Sequence, residues 1–248
     1  MEAPDPIFAD PRLAVIYDDV DSDRSDLDPY VAMASEFGAC SILDIGCGTG
    51  SLACRLSLDG FEVTGLDPAA ASIDVARSKA GADGVRWIHG DGAAMRGLGL
   101  DASFDLAVMT GNVAQVFLDD SDWLATLSQV HRALRPRGVF VFETRDPARR
   151  AWEDWDSTDH PETVQTTVGP VETWLSLLDV SDPLVSFRQH YRFLADESND
   201  VVTSDSTLRF RSLDELRASL TSTGFDVDDV RDAADRPGRE FVLVAHSR

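Results

Sequence analysis

The amino-acid sequence predicts an α/β fold, in which helices cover both faces of a mostly parallel sheet and an antiparallel β insertion precedes the C-terminal helix. Two observations predict it. Between residues 41 and 145, short apolar runs alternate with helical patterns, at lengths typical of a parallel sheet. Between residues 164 and 210, strand-like runs follow one another with only turn formers between them, which is typical of an antiparallel meander.

The alternating part contains five predicted strands and three predicted helices. Gly60 ends the first helix, and the turn at 135–138 ends the third. The third helix is amphipathic, with Leu124, Leu127 and Val130 on one side. The predicted strands cover 41–45, 61–66, 85–89, 104–109 and 139–144, and the predicted helices cover 51–58, 70–80 and 122–134.

The insertion contains four predicted strands. Alternation along the third places Phe187, Gln189 and Tyr191 on one face of the sheet and Arg188 and His190, with Arg192, on the other. The strands are predicted at 164–168, 171–179, 184–194 and 201–210, with turn formers at 169–170, 181–183 and 197–200.

After the insertion, the sequence predicts one more helix and two more strands. Ser212 and Glu215 form a capping-box pattern that begins the helix, and Gly224 ends it. The strands are predicted at 225–230 and 241–245. These elements complete the α/β part of the chain.

Charge and composition exclude several classes of function. The formal net charge of −22 argues against nucleic acid and against anionic membranes as partners, because both select a positive surface. An acidic surface that contains one lysine, Lys79, is consistent with a GC-rich genome or with adaptation to high salt. The three cysteines match neither a disulfide framework nor a zinc pattern, so we expect no metal. With no signal-peptide pattern and no transmembrane run, we expect a cytoplasmic protein.

A glycine-rich loop follows the first strand. The stretch ILDIGCGTG places Gly46, Gly48 and Gly50 directly after an apolar run, and such a loop lets a ligand approach the main chain. Asp67 and Asp91 follow the next two strands. Since the carboxyl ends of parallel strands lie at one edge of the sheet, these residues predict a nucleoside site, with Asp67 at the ribose and Asp91 at the adenine amine. Asp67 is also consistent with a helix N-cap.

The loop departs from the fingerprint of dinucleotide-binding proteins. That fingerprint is G-x-G-x-x-G, but here its third position is Ser51 and the additional glycine comes one residue earlier. The loop also has no fixed positive charge before Arg55 to meet a pyrophosphate. An NAD-dependent oxidoreductase is therefore the alternative and not the first choice.

Five ordered segments resemble the class I S-adenosylmethionine-dependent methyltransferases. The first is the G-x-G-x-G loop preceded by the acidic Asp44. The others are VTGLDPAAASIDVAR, HGDGAAM, FDLAVMTGNVAQVF and LSQVHRALRPRGVFVFET. The resemblance covers roughly residues 24 to 145 and 212 to 246. It implies a Rossmann-like, seven-stranded, mostly parallel sheet and S-adenosylmethionine as cofactor, with S-adenosylhomocysteine as product.

The resemblance also implies a division of the chain and a set of cofactor residues. Residues 1–40 become an N-terminal lid, residues 41–145 and 212–248 the cofactor-binding domain, and residues 146–211 an insertion that covers the substrate site. We expect Asp44 to orient the glycine loop through backbone N–H groups. The predicted cofactor residues are Arg24, Asp44, Gly46, Cys47, Gly48, Gly50, Asp67, Pro68, Asp91, Gly92 and Thr110.

Two stretches partially resemble the glycine and sarcosine N-methyltransferases. Gly111-Asn112 follows the fourth strand, and Arg145 follows the fifth at the position of that group's substrate-carboxylate arginine. This implies substrate roles for Asn112 and Arg145, although a surface ion pair is an equal interpretation of Arg145. Tyr17 is a further substrate or catalytic candidate, and His190 is a candidate base.

The sequence therefore predicts methyl transfer to a nitrogen or oxygen atom of a small molecule, by positioning of donor and acceptor and without a catalytic triad. The stretch Met109-Thr110-Gly111-Asn112 lacks the Asn/Asp-Pro-Pro-Tyr motif of enzymes that methylate DNA bases or glutamine amides. The alternatives are the oxidoreductase above and a non-catalytic S-adenosylmethionine-binding protein. The oligomeric state is left open.

Overall fold

A computed structural model describes residues 3–196 and 200–248 and contains two sheets. The strands of the larger sheet are β1 (Ser41–Ile45), β2 (Glu62–Asp67), β3 (Val85–His89), β4 (Phe104–Met109), β5 (Leu134–Arg145), β10 (Phe225–Asp232) and β11 (Glu240–Ser247). The strands of the smaller sheet are β6 (Glu162–Thr166), β7 (Gly169–Ser181), β8 (Leu184–Phe193) and β9 (Val201–Arg209). The predicted fold class is confirmed.

Eight α-helices surround the sheets in the described ranges. Four lie in the N-terminal segment and three follow β1, β2 and β4, while the last follows the smaller sheet. They are α1 (Pro6–Ala9), α2 (Pro11–Ala14), α3 (Tyr17–Val20), α4 (Asp28–Glu36), α5 (Ser51–Leu58), α6 (Ala70–Arg77), α7 (Asp120–Ala133) and α8 (Leu213–Ser222). The capping box of Ser212 and Glu215 at the start of α8 is present as predicted.

The larger sheet has the order β10-β11-β5-β4-β1-β2-β3. The chain moves outward from β1 to β3 and then returns to the other side of β1 with β4, so β1 lies at the switch point of the sheet. Only β11, antiparallel to both of its neighbours, reverses the common direction among these seven strands. The carboxyl ends of β1, β2, β3 and β4 therefore share one edge.

Alternate residues of β1 reach separate hydrophobic cores on the two faces of this sheet. Leu43 and Ile45 pack on the side of α7 and α8, whereas Ile42 packs on the side of α4 and α5. Burial on both faces explains why the strand is continuously apolar and not alternating.

The smaller sheet packs one face against the N-terminal segment. Tyr191 and Phe193 of β8 are buried with Ile7, Leu13 and Ile16 of that segment. The opposite face carries Arg188 and His190, paired across to Asp205 and Thr203 of β9. The predicted alternation along β8 is thus confirmed.

Several boundaries differ from the predictions or lie outside the described ranges. Strand β6 covers 162–166 and not 164–168, and β7 covers 169–181 and not 171–179. Strand β5 begins at Leu134 and not at residue 139, because Leu134 already pairs with Phe104, so the predicted turn at 135–138 lies within the strand. Helix α6 ends at Arg77 and not at residue 80. Directly after its end, the Ser78 hydroxyl donates a hydrogen bond to the carbonyl of Val75. In the predicted turn at 197–200, residues 197–199 lie outside the described residues. The division into lid, cofactor domain and insertion stays a prediction.

Candidate active site

A cavity of about 570 Å³ lies at the carboxyl ends of β1, β2 and β4. The glycine loop and the ends of β2 and β3 form one wall, and the N-terminal segment forms the other. Of the predicted residues, the cavity is lined by Tyr17, Arg24, Asp44, Gly46, Cys47, Gly48, Asp67, Pro68, Asp91, Gly92 and Thr110. These eleven residues come from well-separated parts of the chain, and the predicted Gly50 is not among them.

The three glycines of the loop serve different purposes. All three have positive φ, with values of 71° at Gly46, 52° at Gly48 and 77° at Gly50. A Cβ atom on Gly46 would lie 2.6 Å from Val113, and one on Gly50 would lie 2.5 Å from Trp87. A Cβ atom on Gly48 would meet nothing within 4 Å. Gly46 and Gly50 are therefore required for packing, whereas Gly48 leaves space open in the cavity.

The Asp67 carboxylate holds two segments of backbone. Oδ2 accepts a hydrogen bond from the N–H of Gly48 at 2.8 Å, and Oδ1 accepts one from the N–H of Ala69 at 2.8 Å. Burial raises the pKa of Asp67, although these two backbone bonds oppose the rise. The N-cap of α6 is Ala69 and not Asp67, so the bond from Ala69 is a turn contact before the helix and not the N-cap interaction that the sequence allowed. Each oxygen retains a second lone pair, so the same carboxylate can still accept ligand hydroxyls.

Asp44 does not orient the loop, contrary to the prediction. Within the described residues, neither of its carboxylate oxygens has a hydrogen-bond partner, and the side chain is buried. Burial and the neighbouring Asp67 raise the pKa of Asp44 to about 7, against a smaller opposing effect of the Ala53 backbone. The physical reason is the register of β1 and β2. Ile45, the last residue of β1, pairs with Leu66, so Asp67 lies one position beyond the end of β1, at the level of the loop. Asp44 pairs with Gly65 and therefore lies within the sheet.

Arg24 and Tyr17 approach the cavity from the N-terminal segment. The Arg24 guanidinium pairs with Asp26: its Nε atom lies 3.3 Å from Oδ1, and its Nη2 atom donates to Oδ2 at 3.4 Å. Tyr17 packs its ring 5.6 Å from that of Phe8. Burial raises the pKa of the Tyr17 hydroxyl, and Arg24 opposes this rise. The tyrosine thus faces the cavity as a neutral hydroxyl.

The predicted substrate pair, Asn112 and Arg145, does not line this cavity. Asn112 donates to Glu240 at 3.2 Å, and Arg145 donates to Gln115 at 2.9 Å and lies 3.6 Å from Glu240. The Arg145 guanidinium also lies 5.4 Å from the Trp155 ring. The two residues are therefore close together, but around a buried glutamate. Their substrate role stays a prediction.

His190 lies on the face of the smaller sheet that is opposite the N-terminal segment. Its ring stacks on that of Trp174, with centroids 4.7 Å apart, and its Nε2 atom is 3.1 Å from the Ser176 hydroxyl. Burial lowers the pKa of His190, and Arg188 lowers it further. The ring is not part of the cavity lining, so the geometry gives the predicted base role no support.

Glu143 is a residue of the site that the sequence analysis missed. Its carboxylate accepts hydrogen bonds from the hydroxyl of Tyr30 and from the backbone N–H of Gly111, which lines the cavity. Burial raises the pKa of Glu143, against the effect of the Tyr30 bond. The available signal was an acidic residue within the otherwise apolar run VFVFET of a central strand, where a buried carboxylate requires partners.

The polar groups of the cavity fit S-adenosylmethionine. The Asp44 carboxylate, which has no hydrogen-bond partner among the described residues, suits an ammonium, and the Arg24 guanidinium at the cavity suits a carboxylate, so both charges of an amino-acid moiety have a partner. The empty space beside Gly48 allows close backbone approach. Among the residues that the structure describes, no group of His, Cys, Asp and Glu is arranged to hold a metal ion.

The sequence of the central region matches a known family. Residues 42–138 match the model of the methyltransferase domain family. These residues form a methyltransferase domain. It contains the glycine loop, Asp67 and Asp91, and it confirms the predicted resemblance to class I methyltransferases, whose cofactor is S-adenosylmethionine. The partial resemblance to glycine and sarcosine N-methyltransferases stays a prediction.

Several curated relatives match slightly less than half of the chain. The cypemycin N-terminal methyltransferase of a Streptomyces species is 31% identical over 123 residues, which is 49% of this chain and 49% of that protein. The chain spans about half the length of the curated relatives it matches. These matches give no support to an oxidoreductase.

Solved structures match the fold over nearly the whole chain. An S-adenosylmethionine-dependent methyltransferase from Clostridium acetobutylicum has a TM-score of 0.76 at 17% identity and covers 95% of this chain and 98% of its own. The amino pentose methyltransferase CalS10 from Micromonospora echinaspora, bound to S-adenosylmethionine, has a TM-score of 0.71 at 21% identity, covering 94% and 97%. At these identities the likeness establishes the fold of the methyltransferase domain together with the smaller sheet.

Proposed function

We propose that this protein transfers a methyl group from S-adenosylmethionine to a nitrogen or oxygen atom of a small molecule. One observation carries the proposal. A cavity large enough for a nucleoside with its amino-acid tail lies against an open glycine position, and it contains the Arg24 guanidinium and the buried Asp44 carboxylate, which has no hydrogen-bond partner among the described residues. A buried carboxylate without a partner is costly unless a ligand satisfies it.

We assign each end of the cofactor to residues of the cavity. Arg24 would bind its carboxylate and Asp44 its ammonium, while Asp67 would accept hydrogen bonds from the ribose hydroxyls. Asp91 would accept one from the adenine amine, beside the backbone of Gly92. When bound, the cofactor supplies an electrophilic methyl group on a sulfonium, and its departure leaves a neutral thioether.

The protein's own contribution would be position and the exclusion of water. Thr110 and Gly111 end β4 at the cavity, and the Glu143 carboxylate fixes the backbone of Gly111. The N-terminal segment covers the cavity with Phe8 and Tyr17. Held collinear in a dry site, a donor and a nucleophilic acceptor need no covalent catalyst, and an acceptor that arrives as a free amine needs no base.

We favour nitrogen as the acceptor atom. The Streptomyces relative is named as an N-terminal methyltransferase and CalS10 as an amino pentose methyltransferase. Four acidic side chains, Asp5, Asp91, Asp119 and Asp122, also line the cavity and give it a negative field that attracts amines. This preference is part of the proposal and concerns the atom, not the identity of the acceptor.

Two measurements test the proposal. Calorimetry with S-adenosylmethionine, S-adenosylhomocysteine and NAD should show binding of the first two and not of NAD. Formation of S-adenosylhomocysteine should then be measured with matched panels of small amines, hydroxylated compounds and carboxylates. Binding of NAD alone would overturn the cofactor, while tight cofactor binding without turnover on any acceptor would indicate the non-catalytic alternative.

A further inference from the structure

The N-terminal segment crosses the cavity as a strap, which we define as residues 5–20. Its apolar side is buried against the smaller sheet through Ile7, Leu13 and Ile16. Its backbone is also tied to that sheet, since the N–H of Ile7 donates to Ser204 at 2.9 Å. The strap and the smaller sheet therefore share one hydrophobic core, separate from the cores of the larger sheet.

A polar cluster joins this strap to the glycine loop. Oδ1 of Asp18 accepts hydrogen bonds from Thr49 at 2.8 Å and from Ser51 at 3.0 Å, and Oδ2 lies 2.5 Å from the ammonium of Lys79. Lys79 in turn donates to Thr49 at 3.1 Å and to Ser51 at 2.8 Å. We call these four residues the lock. Thr49 and Ser51 flank Gly50, so the hydrogen bonds of the lock hold the loop on both sides of its third glycine.

The hydrogen bonding within the lock is internally complete. Lys79 has three N–H groups, and each has one acceptor in the cluster. Each hydroxyl donates to Asp18 and accepts from Lys79. The lysine and aspartate side chains are 23% and 28% exposed, so the pair is largely shielded from water without being sealed inside the protein. Such a cluster is stable when closed and can be rehydrated when it opens.

The lock connects the two walls of the cofactor cavity. Tyr17, next to Asp18, lines one wall, and Gly48, next to Thr49, lines the other. We propose that Asp18 and Lys79 are positioning residues that close the strap over the glycine loop and so set the lifetime of the bound cofactor. The inference rests on the proposed function, because it requires a cofactor in this cavity.

The first test measures the dissociation rate of S-adenosylhomocysteine by stopped-flow displacement. We expect Asp18→Asn and Lys79→Met to release the product about tenfold faster, as the loss of one charged hydrogen bond implies. Lys79→Arg keeps the charge and should recover most of the wild-type rate. Asp74→Asn is the matched control, because it breaks an exposed ion pair with Arg77 on α6, outside the lock. It should leave the rate within twofold of wild type.

The second test uses Lys79 as a single reporter, since it is the only lysine of the chain. An amine-reactive ester acylates Lys79 only when its ammonium leaves the lock, and peptide mass spectrometry separates this site from the N-terminal amine. We expect saturating S-adenosylhomocysteine to slow the acylation of wild-type Lys79 at least about fivefold. In Asp18→Asn the protection should be largely lost.

The outcomes separate this inference from the proposed function. If the wild-type protein fails to bind S-adenosylhomocysteine in calorimetry, both are overturned. If it binds, but folded Asp18→Asn and Lys79→Met release it at the wild-type rate, only the lock is overturned. Equal acylation of Lys79 with and without bound product overturns the lock as well. Thr49→Val, which removes one hydroxyl without changing charge, provides a further variant should Asp18→Asn fold poorly.

Discussion

Oδ2 of Asp67 accepts a hydrogen bond from the backbone N–H of Gly48 at 2.8 Å, and this contact fixes the glycine loop to the end of the neighbouring strand. The same carboxylate also holds the turn before α6 by accepting a hydrogen bond from the N–H of Ala69. Asp67 is therefore both a structural anchor of the loop and the predicted ribose ligand. Substitutions at this position should affect the two functions to different extents.

We expect Asp67→Ala to weaken S-adenosylmethionine binding by at least about tenfold, since it removes charged hydrogen bonds worth about 1.5–3 kcal/mol each. It should also lower the free energy of unfolding by about 1–3 kcal/mol, because the N–H groups of Gly48 and Ala69 lose their acceptor. Calorimetry and chemical denaturation measure the two effects. Asp101→Ala, at an exposed aspartate paired with Arg132, is the control. Unchanged cofactor affinity in Asp67→Ala would disprove the ribose role.

Substitution of the loop glycines by alanine should separate stability from binding. The Cβ atom of Gly48→Ala would meet open space, so we expect the free energy of unfolding to fall only by the cost of a left-handed alanine, about 1–2 kcal/mol. The new methyl group would enter the cavity, so we expect a large loss of cofactor affinity. Gly50→Ala should cost more stability, because its Cβ would lie 2.5 Å from the Trp87 ring and 2.7 Å from Ala76.

Gly38→Ala is the matched control for these glycine variants. Gly38 has φ of 62° and open space around its Cβ position, but it lies outside the cavity lining. Thermal unfolding should show similar losses for Gly38→Ala and Gly48→Ala, whereas calorimetry should show weaker cofactor binding only for the latter. Normal binding by Gly48→Ala would contradict the placement of the cofactor against this loop.

Asp44 should make the stability of the unliganded protein depend on pH. Its folded-state pKa of about 7 lies above the ordinary value of 3.8, so ionisation between these values favours the unfolded state. The stability contributed by the protonated carboxyl is full below pH 4 and is lost as pH rises toward 7. We expect the free energy of unfolding of Asp44→Asn, relative to that of wild type, to rise over this range by up to about 4 kcal/mol.

Denaturant unfolding of wild type and Asp44→Asn at pH 5 and pH 8 measures this effect. If the difference in free energy of unfolding between the two proteins were equal at pH 5 and pH 8, Asp44 would have an ordinary pKa. Saturating S-adenosylhomocysteine should reduce this difference in free energy of unfolding at pH 8, because the proposed contact gives the ionised carboxylate an ammonium partner. The thermal shift caused by the ligand should accordingly be larger for wild type than for the variant.

Glu143→Ala should reduce both stability and turnover. It leaves the Tyr30 hydroxyl and the Gly111 N–H without their acceptor in a buried region, which costs about 1–3 kcal/mol for each unsatisfied group. Tyr30→Phe removes one of the two bonds and keeps Gly111 in place, so it should lose stability while keeping most of kcat. Denaturation and steady-state kinetics distinguish the two variants. Equal loss of kcat in both would contradict a specific role of the Gly111 contact.

Arg145→Ala tests the substrate role that the sequence predicts. In the structure Arg145 contacts Gln115 and Glu240, so we expect the variant to lose stability while KM for acceptors stays within about twofold. Glu240 keeps Arg236 as a partner at 2.8 Å, which limits the loss. A rise in KM confined to acceptors that carry a carboxylate would instead establish Arg145 as a substrate ligand.

The sequence by itself determined the strands, the helices that follow residue 50, the order of segments and eleven residues of the cavity lining. Strand β1 and helix α5 begin and end where they were predicted, because apolar periodicity and glycine stops are local signals. Gly46, Gly48 and Asp67 could be assigned to one site, since the carboxyl ends of parallel strands necessarily share an edge. The fold class followed from the same periodicities.

The tertiary structure decided which side chains satisfy one another. Asp18 and Lys79 are 61 positions apart, and Tyr30 and Glu143 are 113 apart, so no local pattern relates either pair. Asn112 and Arg145 turn toward Glu240 because β11 is inserted beside β5, an arrangement that spacing along the chain does not reveal. Local periodicity determines where a residue lies along its strand or helix. The pairing of strands and the burial of charge determine what its side chain contacts.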